Sequence, residues 1–313
     1  MHAQTMPPDP LSTSTAPETT SLASRFVDSM KWNSTTQVFG LVIRFLSSLV
    51  IARGLGLRLY GVNASVNSFF MLLPSLLSIG FEETIQVVAA RWMASDEHRP
   101  RVRTLLRKLV AWRLALYVPA AAALFFGAPA IAAWVREPEV ELFVKLLVAA
   151  MLVSGIASLY SNVAQACLRI RGLTIFNMGI QVAGLVAAYL ILRAGGGIAG
   201  LLAWQVVSAT VSLGFYALNA HGLMPGAAEP IEVPPVIRFA GTAWLTAMCG
   251  QFLLKELDIV LLNVFRVPWQ AIGAYNLGAS LGITLGFLTN GIGPLFQAAL
   301  AETAERSGRE RVG

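Results

Sequence analysis

The sequence is short of charge. Only 13% of its 313 residues are Asp, Glu, Lys or Arg, roughly half the share found in ordinary soluble proteins. Apolar residues make up 56%, and the mean hydropathy is +0.65. So few charges cannot cover the surface of a water-soluble chain of this length. The composition excludes the soluble globular class and favours a protein that crosses a membrane several times.

Cysteine and histidine are also scarce. The two cysteines, Cys167 and Cys249, lie far apart in apolar runs, which excludes disulfide scaffolds and zinc ribbons. The three histidines lie in polar segments, so neither a histidine metal site nor a catalytic triad is expected. We predict no cofactor, no metal and no enzymatic activity.

The net charge of +6 comes from basic residues that stand between hydrophobic runs. A nucleic-acid binder gathers such residues on one solvated face, so the predicted partner is the lipid bilayer and not a nucleic acid. With a cytoplasmic N-terminus, fifteen Lys and Arg fall on the inner side and six on the outer side. Basic loops mark the cytoplasmic side. We therefore expect a multi-pass protein of the inner (plasma) membrane with both termini in the cytoplasm.

Eight apolar runs are long enough to cross the hydrocarbon core, which takes about 20 residues. They cover residues 35–53, 61–82, 109–135, 141–168, 174–193, 197–219, 238–264 and 269–298. None alternates with the period of two that is typical of a membrane β-barrel, so the predicted fold class is an all-α integral membrane protein. Pro74 and Pro119 are expected to kink helices and not to end them. The glycines at 195–197 predict a tight helical hairpin.

The runs also repeat. Pairing Gly61 with Gly273, an offset of 212, aligns runs one and two with runs seven and eight. Both pairs begin on the inner side, which predicts a parallel repeat with six helices in each unit. The predicted units are a disordered cytoplasmic tail (1–30), a complete six-helix lobe (31–221), a cytoplasmic linker (222–237), the first two helices of a second lobe (238–300) and a charged cytoplasmic tail (301–313).

Three stretches resemble one known family. KWNSTTQVFGLVIRFLSSLVIARGLGLRLYG resembles the first helix of the polysaccharide transporter family, in which a tryptophan-led helix ends in an "AR-LG-YG" turn. LKELDIVLLNVFRVPWQAIGAYNLGASL resembles its seventh helix, and NGIGPLFQAALAE is similar to the end of its eighth. The family belongs to the multidrug/oligosaccharidyl-lipid/polysaccharide exporter superfamily. The resemblance implies two lobes with twelve to fourteen helices, so we expect this chain to be the N-terminal portion of such a protein.

The resemblance further implies that the protein flips a polyprenyl-pyrophosphate-linked glycan across the inner membrane by alternating access. Its role would lie in cell-surface polysaccharide or lipopolysaccharide biosynthesis, in contact with polysaccharide assembly proteins. Lipid II flippases of the same superfamily carry an Arg-Asp pair in the first helix, where this chain has Ser47 and Ser48. That departure favours an oligosaccharide or O-antigen substrate over lipid II.

An ionisable residue inside a membrane span is a functional candidate because its insertion costs about 2.5–3.5 kcal/mol. Arg44 lies near the middle of run one, and helical spacing puts Gln37, Gly40 and Ser47 on its face. This polar stripe predicts that Arg44 points to the bundle interior, where guanidinium suits a substrate phosphate. A buried arginine satisfied by neighbouring helices is the alternative.

Run seven carries the other candidates. Gln251, Lys255 and Asp258 share one helical face, and we predict that Gln251 and Lys255 bind substrate together with Gln37 and Arg44. Lys255 and Asp258 forming a fixed pair is the alternative. Glu256 and Asp258 are predicted to serve ion coupling or pairing between the lobes. The offset of 212 makes Glu256 the equivalent of Arg44, which suggests a cross-lobe ion pair that substrate phosphate opens.

Three further features receive structural interpretations. Ser158, Asn162, Gln165 and Arg169 lie along one face of run four and predict hydrogen bonds between helices. Glu82 and Glu83 end run two, where water is expected to reach them. The basic segment 99–113 is interpreted chiefly as a topology signal, which also suits anionic lipid headgroups.

The sequence is also compatible with three other functions. A cation-coupled drug exporter of the same superfamily favours an aromatic and acidic cavity, whereas Arg44 and Lys255 favour an anionic substrate. A membrane-embedded glycosyltransferase or polymerase needs a large loop with clustered carboxylates or histidines. A truncated, non-transporting remnant is the third alternative.

Overall fold

A computed structural model describes residues 22–93, 99–135, 137–166, 170–224, 229–231, 233–251 and 255–290. Within these ranges every regular element is helical, which confirms the predicted all-α fold. The α-helices are α1 (Leu22–Leu77), α2 (Phe81–Thr84), α3 (Ala90–Met93), α4 (Arg99–Val135), α5 (Val140–Ala166), α6 (Ile170–Arg193), α7 (Gly197–Leu223), α8 (Val233–Gln251), α9 (Lys255–Val264) and α10 (Trp269–Asn290). A π-helix, Ile85–Ala89, joins α2 to α3.

Helix α1 consists of two arms that fold back on each other at Gly56. A straight helix of its 56 residues would be about 84 Å long, far more than a bilayer core of about 30 Å. Gly56 has a φ of 76°, in the left-handed region open to glycine. The Ser48 and Tyr60 hydroxyls hydrogen-bond at 2.5 Å, although twelve helical residues would separate them by about 18 Å. Runs one and two are therefore the two arms of this hairpin.

Five helical segments in the described part of the chain are long and apolar enough to span a membrane, and the first contains both arms of α1. They are Val38–Pro74, Pro100–Ala133, Val140–Ala166, Arg171–Arg193 and Gly197–Gly222. Run seven contains α9 and most of α8, which begins at Val233 inside the predicted linker 222–237. Run eight coincides with α10 as far as Asn290. The rest of run eight, both chain ends and residues 252–254 lie outside the described residues. The total of eight spans stays a prediction.

The structure corrects several boundaries. The chain is helical from Leu22, although 1–30 was expected to be disordered throughout; no proline interrupts the sequence between Pro17 and Pro74. Helix α4 begins at Arg99 and not at residue 109. The basic segment that precedes the apolar run 109–135 belongs to the same helix. The second arm of α1 ends at Leu77, and a break at 78–80 separates it from α2.

Neither Pro74 nor Pro119 ends its helix, as predicted, and the predicted hairpin at the glycines 195–197 is present. Pro74 and Pro119 lie inside α1 and α4. Helices α6 and α7 are joined by residues 194–196, with left-handed φ at Gly195 (78°) and Gly197 (54°). Such a short connection forces the two helices to run antiparallel.

We use the name first lobe for α1 to α7 and second lobe for α8 to α10. Two hydrophobic clusters fill the first lobe, one above the other along the bundle. The cluster at the end that holds Gly56 includes Tyr117, Val144 and Leu202. The cluster at the end that holds Gly80 includes Ile85, Leu109 and Val163. We call these the Gly56 end and the Gly80 end. Helices α4 and α5 supply residues to both clusters and form the centre of the lobe.

The second lobe meets the first through a reciprocal glycine contact at the Gly56 end. A Cβ on Gly61 would lie 1.9 Å from the Trp269 carbonyl oxygen, and a Cβ on Gly273 would lie 2.4 Å from the Leu57 carbonyl oxygen. The offset of 212 relates Gly61 to Gly273 and Leu57 to Trp269, so each half makes the same contact with the other. A two-fold axis produces such reciprocity, which supports the predicted repeat. The nearby hydrogen bond from Asn276 Nδ2 to the Tyr60 hydroxyl, at 3.0 Å, links the same halves.

We expect Gly61→Ala to destabilise the protein by about 1–3 kcal/mol, since a side chain here forces two backbones apart. The measurement is the melting temperature of the purified protein. Gly214→Ala is the matched control: Gly214 also lies within a helix, and no described atom lies within 4 Å of its added Cβ. Alanine there should be neutral or mildly stabilising. Equal melting temperatures for both variants would contradict the close contact.

Candidate functional site

A cavity of about 490 Å³ with several polar side chains in its wall lies among α1, α2, α4, α5 and α7. Its polar lining consists of Asn67, Ser78, Glu82, Glu83, Arg113, Tyr117, Ser154, Ser158 and Gln205. A second cavity of about 760 Å³, at the Gly56 end, is lined mainly by valines and aromatics with the exposed Arg266. Because binding sites combine a few convergent polar groups with apolar walls, the first cavity is the stronger candidate site.

Arg113 is the centre of this site. Its side chain is only 1% exposed, and its guanidinium makes two parallel bonds to Glu82: Nη1 to Oε1 and Nη2 to Oε2, both at 2.6 Å. The Glu82 side chain is 26% exposed and faces the cavity. A bidentate pair of this kind has the shortest and strongest geometry available to arginine and carboxylate. It joins α2 to α4.

Helix α5 completes the surroundings of Arg113. Nη1 also donates to the Gly155 carbonyl oxygen at 2.8 Å and to Ser158 Oγ at 2.9 Å. The Ser158 hydroxyl lies 3.0 Å from Glu82 Oε1 and can donate to it. A Cβ on Gly155 would lie 2.4 Å from the Tyr117 ring, so glycine at this position lets the ring pack beside the guanidinium.

Aromatic rings enclose the guanidinium on two further sides. The ring centroids of Phe81 and Tyr117 lie 5.4 and 5.3 Å from its central carbon. Both distances are within the range of a cation–π contact, which is strongest where water is excluded. The pair thus sits in an apolar shell between the two hydrophobic clusters, with Leu109 on one side along α4 and Tyr117 on the other.

The site carries unequal charge. Glu82 and Glu83 contribute two carboxylates against the one guanidinium of Arg113. Glu83 Oε2 and Arg113 Nε are both buried, and neither atom has a hydrogen-bond partner among the described residues. Both atoms belong to side chains that line the cavity. The described residues contain no group of three His, Cys, Asp or Glu side chains that could hold a metal ion.

Amide side chains extend the polar lining toward α7. Gln205 Nε2 donates to Asn67 Oδ1 at 3.1 Å, and Asn67 Nδ2 donates to the Asn63 carbonyl oxygen at 2.8 Å. These bonds fix the amide orientations on the second arm of α1. Each amide offers both donors and acceptors to a polar ligand.

The structure places two of the predicted site residues. Arg44 is exposed on the first arm of α1. Asp258 is exposed on α9, and its Oδ2 accepts a 2.6 Å hydrogen bond from the Tyr275 hydroxyl of α10. The side chains of Gln37, Gln251, Lys255 and Glu256 lie outside the described residues. The proposed substrate contacts and the Arg44–Glu256 pair stay predictions.

The polar face predicted on run four does form bonds between helices. Ser158 joins the Arg113–Glu82 pair, and Asn162 Oδ1 accepts a 2.9 Å bond from Gln86 Nε2 in the π-helix. Gln165 instead bonds within its own helix, to Ser161. Arg169 lies outside the described residues.

The interpretation of Arg113 and Glu82 needs correction. Arg113 was counted among the basic residues that mark topology, and Glu82 was expected in water. The structure pairs them at the centre of the lobe instead. Helical spacing carried the signal: Leu109, Leu116 and Tyr117 lie four residues before, three after and four after Arg113, so it stands on the apolar face of α4. A cation on such a face requires a buried partner.

We expect a double-mutant cycle to reveal coupling between the two charges. Glu82→Gln or Arg113→Leu alone leaves one charge without its partner and should cost about 3 kcal/mol, the low end for a buried pair because Glu82 is partly exposed. The double variant should be clearly more stable than the sum of the two losses. The measurement is the unfolding free energy in detergent.

The control variant is Glu141→Gln, which removes the partner of Lys145. These two side chains bond at 2.6 Å on the surface of α5, so the loss should stay below about 1 kcal/mol. Additive losses at Glu82 and Arg113 would show that the two charges do not stabilise each other.

Comparison with known proteins agrees with this architecture. Residues 26–300 match the model of a family described as polysaccharide biosynthesis protein. No curated protein and no solved structure matches the chain significantly. Because the matched region contains nearly all of the chain, the protein belongs to the polysaccharide biosynthesis protein family.

Proposed function

We propose that this protein is a transporter, and not an enzyme, that moves a polyprenyl-pyrophosphate-linked glycan across the inner membrane by alternating access. Family membership and the long apolar helices support a membrane protein of polysaccharide biosynthesis. We add to this a substrate, the lipid-linked glycan, and its movement across the bilayer. Both termini are proposed to lie in the cytoplasm, from the distribution of basic residues.

The observation that carries this proposal is the exposure of Arg44. Twelve helical residues separate it from Gly56, a rise of about 18 Å. That distance is about half of the hydrocarbon core. A guanidinium exposed to lipid at this depth is strongly unfavourable, so it must face a water-filled path, a ligand or another charged group. None of the side chains that the structure describes pairs with it.

Arg44 and Arg113 therefore differ in role. Protein groups already surround Arg113 and take up most of its donors. Arg44 retains donors for a bidentate contact with phosphate, the geometry that guanidinium favours. In the proposed mechanism the diphosphate binds Arg44 and Lys255, the sugars contact Gln37 and Gln251, and the lipid tail stays in the bilayer.

Movement follows if the substrate binds the inward-open and outward-open states with different affinity. The proposed pairing of Arg44 with Glu256, and ion coupling through Glu256 or Asp258, would supply that difference. Short connections at 194–196 and 265–268 also suit a transporter better than a glycosyltransferase, which needs a loop large enough to carry a catalytic cluster.

A flipping assay in proteoliposomes tests the proposal. A fluorescent polyprenyl-diphosphate oligosaccharide is incorporated, and its appearance in the opposite leaflet is followed by quenching. Arg44→Gln should slow flipping roughly 10- to 100-fold, since a charge-assisted contact contributes about 1.5–3 kcal/mol. The flipping rate of Arg44→Lys should fall between those of the wild type and Arg44→Gln. Lysine keeps the positive charge but cannot make the bidentate contact with phosphate.

Arg53→Gln is the matched control. Arg53 is also exposed on the first arm, three residues before Gly56, where its side chain can reach the interface. The Arg53→Gln variant should flip the labelled glycan lipid at nearly the wild-type rate. Absence of flipping by the wild type together with export of a cationic drug would favour the drug-exporter alternative. Equal rates for Arg44→Gln and wild type would remove Arg44 from the mechanism.

A further inference from the structure

The Arg113–Glu82 pair lies next to the connection between α1 and α2, residues 78–80, which contacts α8 of the second lobe. We propose that this ion pair positions α8, the helix with which the second lobe begins, by fixing the 78–80 connection that α8 contacts. Arg113 and Glu82 are then positioning residues for the movement between lobes. The consequence for transport rests on the function proposed above, whereas the positioning itself is a property of the fold.

The connection has an unusual backbone. Helix α1 ends at Leu77, and two consecutive residues, Ile79 (φ 45°) and Gly80 (φ 67°), adopt left-handed conformations. Positive φ is rare for a β-branched residue such as isoleucine. Strain of this kind persists only where surrounding contacts hold it in place, and it is frequent in switch regions. The contacts on each side of the connection therefore determine its shape.

On one side the connection is anchored to α2. The Gly80 carbonyl oxygen accepts bonds from Thr84 N at 3.0 Å and Thr84 Oγ1 at 2.7 Å, so Gly80 moves with this short helix. The π-helix Ile85–Ala89 follows directly, so irregular backbone borders α2 at both ends. Such π-helical turns are frequent at functional sites. The two bonds from Arg113 to Glu82 tie this irregular segment to the long helix α4.

On the other side the connection supports α8. A Cβ on Gly80 would lie 2.2 Å from the Ala240 carbonyl oxygen and 2.9 Å from Trp244 N, which shows direct contact between the two backbones. Trp244 Nε1 also donates to the Leu76 carbonyl oxygen at 3.2 Å. In an unbroken helix the amide of Gly80 would bond that carbonyl. Helix α8 thus takes the place of the interrupted helix.

These contacts form one continuous path. Arg113 holds Glu82, α2 carries Gly80, and the Gly80 backbone supports α8 at Ala240 and Trp244. Val236 and Ala240, on the same helix, are buried against the first lobe. Among the described residues, the bond to Arg113 is the only ion pair that α2 makes. If this pair opens, α2 can shift, and the backbone at Gly80 that contacts α8 shifts with it. Gly80 is required because any side chain would push α8 away.

Distance measurement between spin labels tests the inference. The labels go on Val118→Cys in α4 and Ile237→Cys in α8, both exposed positions, with Cys167 and Cys249 replaced by alanine. The full chain is measured in lipid bilayers. The parent protein should give a single narrow distance distribution. Glu82→Gln should shift or broaden it, although the glutamine can still hydrogen-bond to Arg113.

A second variant approaches the connection from the other side. Gly80→Ala leaves the ion pair intact and should shift the same distance, because its Cβ displaces α8. The matched control is Glu229→Gln, which removes the partner of Arg101 in a half-exposed pair at 3.3 Å and should leave the distribution unchanged. Circular dichroism and melting curves establish that each variant is folded.

The outcomes separate this inference from the proposed function. A folded Glu82→Gln protein with the parent distribution would overturn the positioning role. A loss of flipping in that variant without any change in distance would also overturn it, because the pair would then act on the substrate. If the parent protein flips no lipid-linked glycan and Glu82→Gln still shifts the distance, the positioning role is supported and the proposed function is contradicted.

Discussion

The packing of the first lobe depends on one buried cation, the Arg113 guanidinium, which needs an oppositely charged partner. Arg113 lies on the apolar face of α4, almost completely buried between two hydrophobic clusters. In a low-dielectric interior an unpaired guanidinium is far more costly than a paired one. The lobe meets this constraint by bringing Glu82 from α2 and Ser158 and the Gly155 carbonyl from α5 to the same point. Three elements far apart in sequence are thereby fixed relative to one another.

The two lobes touch at opposite ends of the bundle, and glycine makes both contacts possible. At the Gly56 end, Gly61 and Gly273 let α1 and α10 approach backbone to backbone. At the Gly80 end, Gly80 does the same for α8. Between these contacts lies Arg44, exposed near the middle of its arm. We expect a change at either contact to alter the position of α8 or α10 relative to α1, which carries Arg44.

Much of this architecture follows from the sequence because a bilayer permits few solutions. Apolar run lengths predict the helices, and the glycines at 195–197 predict the α6–α7 hairpin, since the backbone must satisfy its own hydrogen bonds in lipid. The repeat offset of 212 pairs the two glycines that meet in the structure. Both features depend on local sequence or on a simple internal comparison.

The central site could not be found in the same way. Counting basic residues assigns Arg113 to a membrane side without considering which face of α4 it occupies, and its partner Glu82 lies 31 residues away. The break at 78–80 is also hidden, because it falls inside run 61–82, which is long enough to read as one continuous span. Its shape depends on α8, which lies about 160 residues further along the chain. Long-range packing, and not local preference, determines both features.

Infrared spectroscopy of the protein in lipid bilayers tests the ionised Arg113–Glu82 pair most directly. The difference spectrum between wild type and Glu82→Gln at neutral pH isolates the vibrations of this one side chain. We expect the variant to lose a carboxylate stretching band, because the structure places both carboxyl oxygens of Glu82 against the guanidinium of Arg113 in a bidentate contact. Loss of a protonated carboxyl band instead would show that Glu82 is neutral in the membrane, and the ion pair at the centre of the lobe would be wrong.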